Sequence, residues 1–295
     1  MLFRSAIYHQ EQVIGVAEAD WRSNDTENPD SGWMEVVVDP NYYRQGLGSR
    51  LLYALLEEIY PLGRKKLFAA TNGLRVGGKP FAEVYGAKFG QEEHTNQLLF
   101  AELNQDYLQQ ALGNAPTDQY ELVWYDCEYP NDEAELQKIC DVFAVMNTAP
   151  RGDLEFNDWK MTPEKLRQEA ANAKKNDQQW WLCIAKHIET GHYAGFTETG
   201  WHHNRPGIAG QYGTGVDPTH RGHGLGAWLK SAMIERIKHE RPSVDRIRTG
   251  NADSNAPMLR INHSLGFKPF RDRIEWQIDV AKTLEIVRSK VLVTG

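Results

Sequence analysis

Apolar residues recur at 51, 52, 55, 56 and 59, and again at 225, 229, 233 and 237, the spacing of one buried face of a helix. Each of these predicted helices follows a β-rich run, 33–38 in one case and 210–216 in the other. Alternating stretches predict further strands at 15–21, 121–125, 195–201 and 244–249. A third helical pattern carries apolar side chains at 136, 139, 140, 143 and 146, and a fourth opens with Thr162-Pro163, a cap followed by a first-turn proline. Helical composition returns at 104–112 and at 281–290.

The order of these elements repeats. Val38-Asp39-Pro40 followed by Gly46-Leu47-Gly48 is matched by Val216-Asp217-Pro218 followed by Gly224-Leu225-Gly226. Upstream, Gly15-x-x-Glu18-x-x-Trp21 is matched by Gly195-x-x-Glu198-x-x-Trp201. Carrying the register back sets residues 3–9 opposite 181–187, so the first copy starts inside the unit and lacks the strand and two helices of 120–180. The turn-rich stretch around Gly113, Asn114 and Pro116 reads as a linker. The expected organisation is a truncated domain over 1–112, a linker over 113–119 and a complete domain over 120–295.

Composition narrows the function. A formal net charge of -7 argues against a nucleic-acid partner, which normally requires a basic face. No apolar run is long enough to span a bilayer and Met1-Leu2-Phe3-Arg4 is not a signal segment, so a cytoplasmic protein with no membrane partner is expected. Cys127, Cys140 and Cys183 are widely spaced and read as core thiols. His202-His203 and His220-x-x-His223 lack a carboxylate or cysteine at recognised spacing, so no metal site is expected.

Each glycine loop joins a strand to a helix, where unpaired N–H groups and the helix dipole favour an anion and glycine allows close approach. A pyrophosphate fits that description. No G-x-x-x-x-G-K-[ST] string is present, which excludes the phosphate loop of ATPases. Gly222-x-Gly224-x-x-Ala227 meets the loose dinucleotide pattern, but the nearest acidic residue, Asp245, sits at the start of the following strand rather than its end.

The run Val216-Asp217-Pro218-Thr219-His220-Arg221-Gly222-His223-Gly224-Leu225-Gly226 resembles the acetyl-CoA motif R/Q-x-x-G-x-G/A of the GNAT superfamily of N-acetyltransferases. Asn251 and the segment from Asn255 to Phe267, closing on Leu-Gly-Phe, resemble the family's last helix. The two-copy layout is similar to that of tandem family members. The resemblance implies an α/β fold of two GNAT acyl-CoA N-acyltransferase domains, each a mixed sheet splayed between its fourth and fifth strands. It further implies acetyl-CoA as cosubstrate and a small-molecule or peptide amine as acceptor. In the second copy Val216, Arg221, Gly222, His223, Gly224, Leu225, Gly226, Ala227, Asn251 and Asn255 would hold the cosubstrate, and in the first Val38, Arg44, Gln45, Gly46, Leu47, Gly48 and Ser49. Asn255 equally suits a helix cap. Tyr43 stands where the first copy's motif wants Arg or Gln.

Acetyl transfer needs a deprotonated amine and a polarised carbonyl, while a thiol of pKa roughly 8.5 leaves with little help. The family's usual tyrosine acid is replaced by Asn262, with Ala82 as its counterpart in the first copy, and the usual glutamate early in the fourth strand by Gly210 and Gln211. Substitutes are Glu198 as base and Tyr212 as acid, with Glu35 as the first copy's weaker counterpart. Glu198 recurs as Glu18, which a shared structural ion pair would also explain. Trp180-Trp181 suits an acceptor wall or core packing. The expected function is an N-acetyltransferase working mainly through the second copy; the alternative is a non-catalytic acyl-CoA sensor or scaffold.

Overall fold

In chain order the elements of the computed structural model, which describes residues 2–21 and 25–291, are β1 (Leu2–His9), β2 (Gln12–Asp20), β3 (Ser31–Val38), α1 (Leu47–Ile59), β4 (Lys66–Asn72), α2 (Gly78–Val84), β5 (Lys88–Leu99) and α3 (Gln105–Gly113). There follow β6 (Tyr120–Tyr125), α4 (Glu133–Val142), α5 (Pro163–Lys175), β7 (Gln178–His187), β8 (Tyr193–His202), β9 (Ile208–Val216), α6 (Leu225–Glu240), β10 (Arg246–Ala252), α7 (Ala256–Leu265), β11 (Lys268–Asp279) and α8 (Val280–Val291). The extreme ends of the predicted domains, at Met1 and 292–295, lie outside the described residues.

Two units form, each an open mixed sheet with helices against it. Unit 1 gathers the residues up to Glu93, 151–157 and those from Arg271 on; unit 2 holds 94–150 and 158–270. The strand order is β1-β2-β3-β4-β11 in unit 1 and β10-β9-β8-β7-β6 in unit 2, and β5 passes from one unit to the other after Glu93. Packing therefore cuts across the sequence boundary at 113–119. Arg273 to Asp279 of β11 pair antiparallel with β4, and α8 buries Val280, Leu284 and Val287 in the same cluster as Leu51, Leu52, Leu55, Leu56 and Ile59 of α1. Residues after Glu93 go the other way: Leu98 of β5 and Leu108 of α3 lie in the core with Leu229, Met233 and Ile237 of α6. Each fully buried leucine contributes about 1.5–3 kcal/mol, so apolar faces of this size decide which segment closes which unit.

Unit 2 has apolar layers on both sides of its sheet. One, under α6, includes Trp181, Cys183, Ala194 and Ile247; the other, under α4 and α5, includes Leu136, Ile139, Leu166, Leu182, Ile184 and Phe196. Asp132 and Thr162 cap α4 and α5, accepting from the N–H of Ala134 and of Lys165.

Lys230 of α6 is 1% exposed, with its ammonium 5.6 Å from the centre of the Phe267 ring. Burial pushes its pKa down from 10.5 to about 7. Between these values the unfolded chain binds the extra proton, so the cost of burying this lysine is full below pH 7 and is relieved as pH rises towards 10.5. Lys230→Met is expected to raise Tm by several degrees at pH 7, by about 2–4 °C per kcal/mol relieved in a unit of this size, and the gain should shrink by pH 10 in thermal melts across that range.

Candidate active site

The site in unit 2 starts from two irregularities of the sheet. β9 and β10 pair in parallel only from Ile208↔Arg246 to Gln211↔Thr249. Beyond these residues β9 runs on to Val216 and β10 to Ala252, leaving a wedge between 212–216 and 250–252. Beside it, the β8–β9 register shifts between Thr197 and Thr199: Thr197 faces Thr214 and Thr199 faces Gln211. One residue, Glu198, thus opposes two, Tyr212 and Gly213, which is a β-bulge.

Glu198, opposite Leu182 of β7, shares that residue's side of the sheet, the one α4 and α5 cover, and the extra residue of the bulge lies in β9. Its carboxylate accepts from the Gly213 N–H at 3.1 Å and from Trp180 Nε1 at 3.2 Å. Burial pushes its pKa up to about 7, with a smaller push from the Glu169 carboxylate, against the lowering effect of the two donors. Tyr212 stacks on Trp180, ring centres 4.7 Å apart and planes within 6°. It is 48% exposed, and a Cβ at Gly210 would lie 3.1 Å from its hydroxyl. Gly213 leaves room for the carboxylate: a Cβ there would stand 2.9 Å from Glu198 Oε1 and 3.0 Å from the Phe196 ring. Gly213→Ala is accordingly expected to displace Glu198 and lower kcat at least about tenfold, a barrier change of about 1.4 kcal/mol, with cosubstrate affinity unchanged by calorimetry.

At the far end of the wedge, Asp217 caps a short 3-10 turn over Pro218–His220 by accepting from Thr219 N at 2.8 Å. Gly222 and Gly224 follow at φ 86° and 77°, both facing open space. Gly224 is the N-cap of α6 and supplies no side-chain cap, so the first-turn N–H groups of Leu225, Gly226 and Ala227 are left for an anion such as a pyrophosphate. Arg221 braces this loop: Nε donates to Val216 O at 3.1 Å, and a terminal nitrogen to Thr148 Oγ1 at 2.9 Å. Val216 packs with the core under α6, and Gly226 admits Ile261 of α7, which a Cβ would meet at 3.3 Å. These residues fit the pyrophosphate of an acyl-CoA.

Behind the wedge, Asn262 Nδ2 donates to Asn251 Oδ1 at 2.6 Å, and Asn96 Nδ2 lies 3.5 Å from the same oxygen. Asn262 is fully buried, with its own Oδ1 unpaired. Asn255 occupies the N-cap position of α7 but makes no capping bond, so its side chain is not spent there.

Unit 1 repeats the loop closely and the chemistry poorly. Gly46, the N-cap of α1, has φ 77° and ψ -2°, against 77° and 0° at Gly224. Arg44 takes the place of Gly222 and adopts φ 62°, a left-handed conformation that strains a side-chain residue. Tyr43 Oη accepts from Arg75 at 3.2 Å, Ser49 Oγ accepts from Tyr85 at 2.6 Å, and Gly48 lies against the Phe81 ring. Leu47 opens α1 after Gln45 and Gly46, and Val38 ends β3 against the unit 1 core. The β3–β4 pairing stops at Trp33↔Phe68, so this sheet also opens. No bulge interrupts β2–β3, however, where Glu18 faces Glu35 and bonds Arg4 at 2.7 Å. The recurrence of the glutamate is therefore one of position: an ion pair with Arg4 in one copy, a carboxylate held by an indole and a backbone N–H in the other.

Below the unit 2 loop, His220 Nδ1 lies 2.8 Å from Tyr120 Oη, and His192 Nε2 lies 3.1 Å from Asp217. His192 stacks on His220 at 5.1 Å, with His187 5.6 Å from His220, and His223 sits 6.1 Å from the Tyr120 ring. Burial, then the neighbouring imidazole of His192, lowers the His220 pKa. Among the described residues no three potential ligands converge on a metal position. No helix there is long and apolar enough to cross a membrane.

Sequence reasoning left Trp180 undecided and missed Tyr129 and Glu169. Tyr129 feels the charge of both Glu198 and Glu169, so all three share one side of the sheet. Asp153 and Glu155 belong to unit 1, where Asp153 N donates to Gly90 O, while Asp158 belongs to unit 2.

The sequence profile of the Acetyltransferase (GNAT) family matches residues 2–83 and 137–267. A mycothiol acetyltransferase of Mycobacteroides abscessus is 27% identical over 242 residues, 79% of this chain and 70% of that protein. Among solved structures, a tandem GNAT protein from the clavulanic acid biosynthesis pathway matches at TM-score 0.77 with 23% identity, covering 95% of this chain and 83% of that one. A GCN5-related N-acetyltransferase from Sphaerobacter thermophilus matches at TM-score 0.64 with 13% identity, covering 92% and 78%.

Proposed function

The chain belongs to the acetyltransferase (GNAT) family and is an acyltransferase, and from that premise we propose that it moves an acetyl group from acetyl-CoA to a primary amine in unit 2, with Glu198 as the general base. The observation that carries this reading is the Glu198 carboxylate, of pKa about 7 and held by Gly213 N and Trp180 Nε1 at the bulge, while its counterpart in unit 1 is held by Arg4.

Acetyl-CoA supplies an activated acyl thioester; the rest falls to the protein. Backbone N–H groups at the start of α6 bind the pyrophosphate, and Arg221 holds the loop that presents them. Asn251 and Asn255 make polar contacts to the cosubstrate arm. Glu198 takes one proton from the acceptor ammonium, so that the nitrogen lone pair attacks the thioester carbon, the C–S bond breaks, and the thiolate departs. Amide, free thiol and one released proton balance the reaction. Asn262 cannot donate a titratable proton, and its amide is engaged by Asn251, which fits a leaving group that needs no acid. Tyr212, on β9 at the bulge, is the candidate acid. Tyr212→Phe is expected to leave kcat within about threefold if the ring serves as a wall, and to lower it about a hundredfold if the hydroxyl delivers a proton; initial rates at saturating acetyl-CoA decide.

The test of the whole reading is thiol release. Acetyl-CoA should bind, and free CoA should appear with amines and not without them. Binding with no release across an amine panel would make the protein a sensor; no binding would defeat both readings.

A further inference from the structure

Residues that face one another across unit 2 form two neighbouring rows on the α4/α5 side of its sheet. One runs through Leu182 of β7, Glu198 of β8 and the bulge at Tyr212 and Gly213; the row before it runs through Trp180, Gly200 and Gly210. Glycine weakens a strand and often marks a close approach to the backbone. Here the approach is made by Tyr212. A Cβ at Gly200 would stand 2.9 Å from Tyr212 Cε2 and 3.2 Å from its hydroxyl, and one at Gly210 would stand 3.1 Å from the hydroxyl and 3.2 Å from Cζ. The phenol ring therefore folds back over the two glycines, and its hydroxyl points away from residues 213–216, which border the wedge. In that position the ring stacks on Trp180, 4.7 Å between centres and 6° between planes.

Trp180 in turn reaches forward to the next row. Its indole Nε1 donates to Glu198 Oε2 at 3.2 Å, while Gly213 N donates to Oε1 at 3.1 Å. Of these two donors only the indole belongs to a side chain. The titratable groups around them are Glu169 of α5, whose charge opposes ionisation of Glu198, and Tyr129 and Tyr212, which feel the charge of Glu198. Cys127 and Cys140 act on Tyr129, and Arg205 on Tyr212. Burial and Glu169 both disfavour the carboxylate, so the two neutral donors are what favour it.

We propose that Trp180 is a positioning residue for acetyl transfer, its indole N–H fixing the Glu198 carboxylate and favouring the ionised base, and that Tyr212 serves through its ring, by holding Trp180, and not through its hydroxyl. This deepens the acetyl-transfer reading and rests on it for the identity of the base. The glycines seat the ring, the ring sets the indole, and the indole sets the carboxylate.

The test titrates the carboxyl directly. Full-length protein with glutamate isotopically labelled at its side-chain carboxyl carbon is followed by NMR across pH, the Glu198 signal being assigned by its loss in Glu198→Gln. Trp180 is replaced by Phe and, to keep the shape of the indole, by β-(3-benzothienyl)alanine, in which sulfur takes the place of the N–H. The midpoint of Glu198 is expected to rise in both by about one pH unit, a tenfold change in ionisation. Tyr212→Phe should leave it in place, Tyr212→Leu should raise it, and Tyr212→Leu should add nothing in the Trp180→Phe background. An unchanged or lowered midpoint in the benzothienyl variant would overturn the proposal, and a further shift from Tyr212→Leu in the Trp180→Phe background would overturn the part given to Tyr212. Rates are read separately: in the benzothienyl variant the rising limb of kcat/KM should move up by the same interval, with acetyl-CoA affinity unchanged. A raised midpoint with no thiol release from the wild type would uphold the held carboxylate and defeat acetyl transfer, whereas release with an unshifted midpoint would do the reverse.

Discussion

Gly224→Glu should abolish acetyl-CoA binding in unit 2, with affinity falling at least about a hundredfold, or 2.7 kcal/mol, in calorimetric titration. Two effects add. Gly224 sits at φ 77° as the N-cap of α6, where any side-chain residue costs about 1–2 kcal/mol of backbone strain. The new carboxylate would also stand at the positive end of the helix, in the open space where the pyrophosphate is expected. Gly224→Ala separates the two: it carries the strain without the charge and should lose far less. Gly46→Glu makes the same change on the unit 1 loop. If unit 1 holds a second acetyl-CoA, Gly224→Glu reduces the stoichiometry to one and Gly46→Glu removes the other; if unit 2 alone binds, Gly46→Glu leaves the titration unchanged. Wild-type affinity in Gly224→Glu would show that the cosubstrate lies elsewhere.

Glu198→Gln is expected to lower kcat about 10²–10⁴-fold and to leave acetyl-CoA affinity intact. In the wild type kcat/KM should rise with pH through about 7, as the buried carboxyl ionises, and that limb should vanish in the variant. The same substitution bears on stability with an unusual sign. The folded pKa lies above the unfolded value of about 4.5, so the folded protein binds the extra proton between the two, and stability falls as pH rises across that window. Keeping this carboxylate ionised at pH 8 costs on the order of 3 kcal/mol. Glu198→Gln should therefore melt higher than the wild type at pH 8 and close to it at pH 4. A variant with wild-type turnover would remove Glu198 as the base, whatever its melting temperature.

The parts legible in the sequence are those that local chemistry dictates. Leucines at helical spacing marked α1 and α6, and glycines at 46, 222 and 224 marked turns that only a positive φ completes. The bulge at Glu198 was not legible, because a register shift belongs to a pair of strands, and neither β8 nor β9 carries a one-strand signature for it. Trp180 could not be assigned for a related reason: alternation shows that Trp180 and Trp181 face opposite sides, but not which side holds the lobe. The placement of β11 escaped for a third. Its pattern suits pairing with any apolar neighbour, and the choice of β4 is fixed by the fit of Val280, Leu284 and Val287 to α1.

The exchange of closing segments also sets a timetable for synthesis. The strands and helix that open unit 1 leave the ribosome first, yet the β11–α8 segment that covers α1 is made only after all of unit 2. Until then α1 has only the strands made with it to pack on, and the side that α8 later covers stays exposed, the kind of surface on which a nascent chain is captured by chaperones or lost to aggregation. Unit 2, whose borrowed residues 94–112 precede it, carries no such delay.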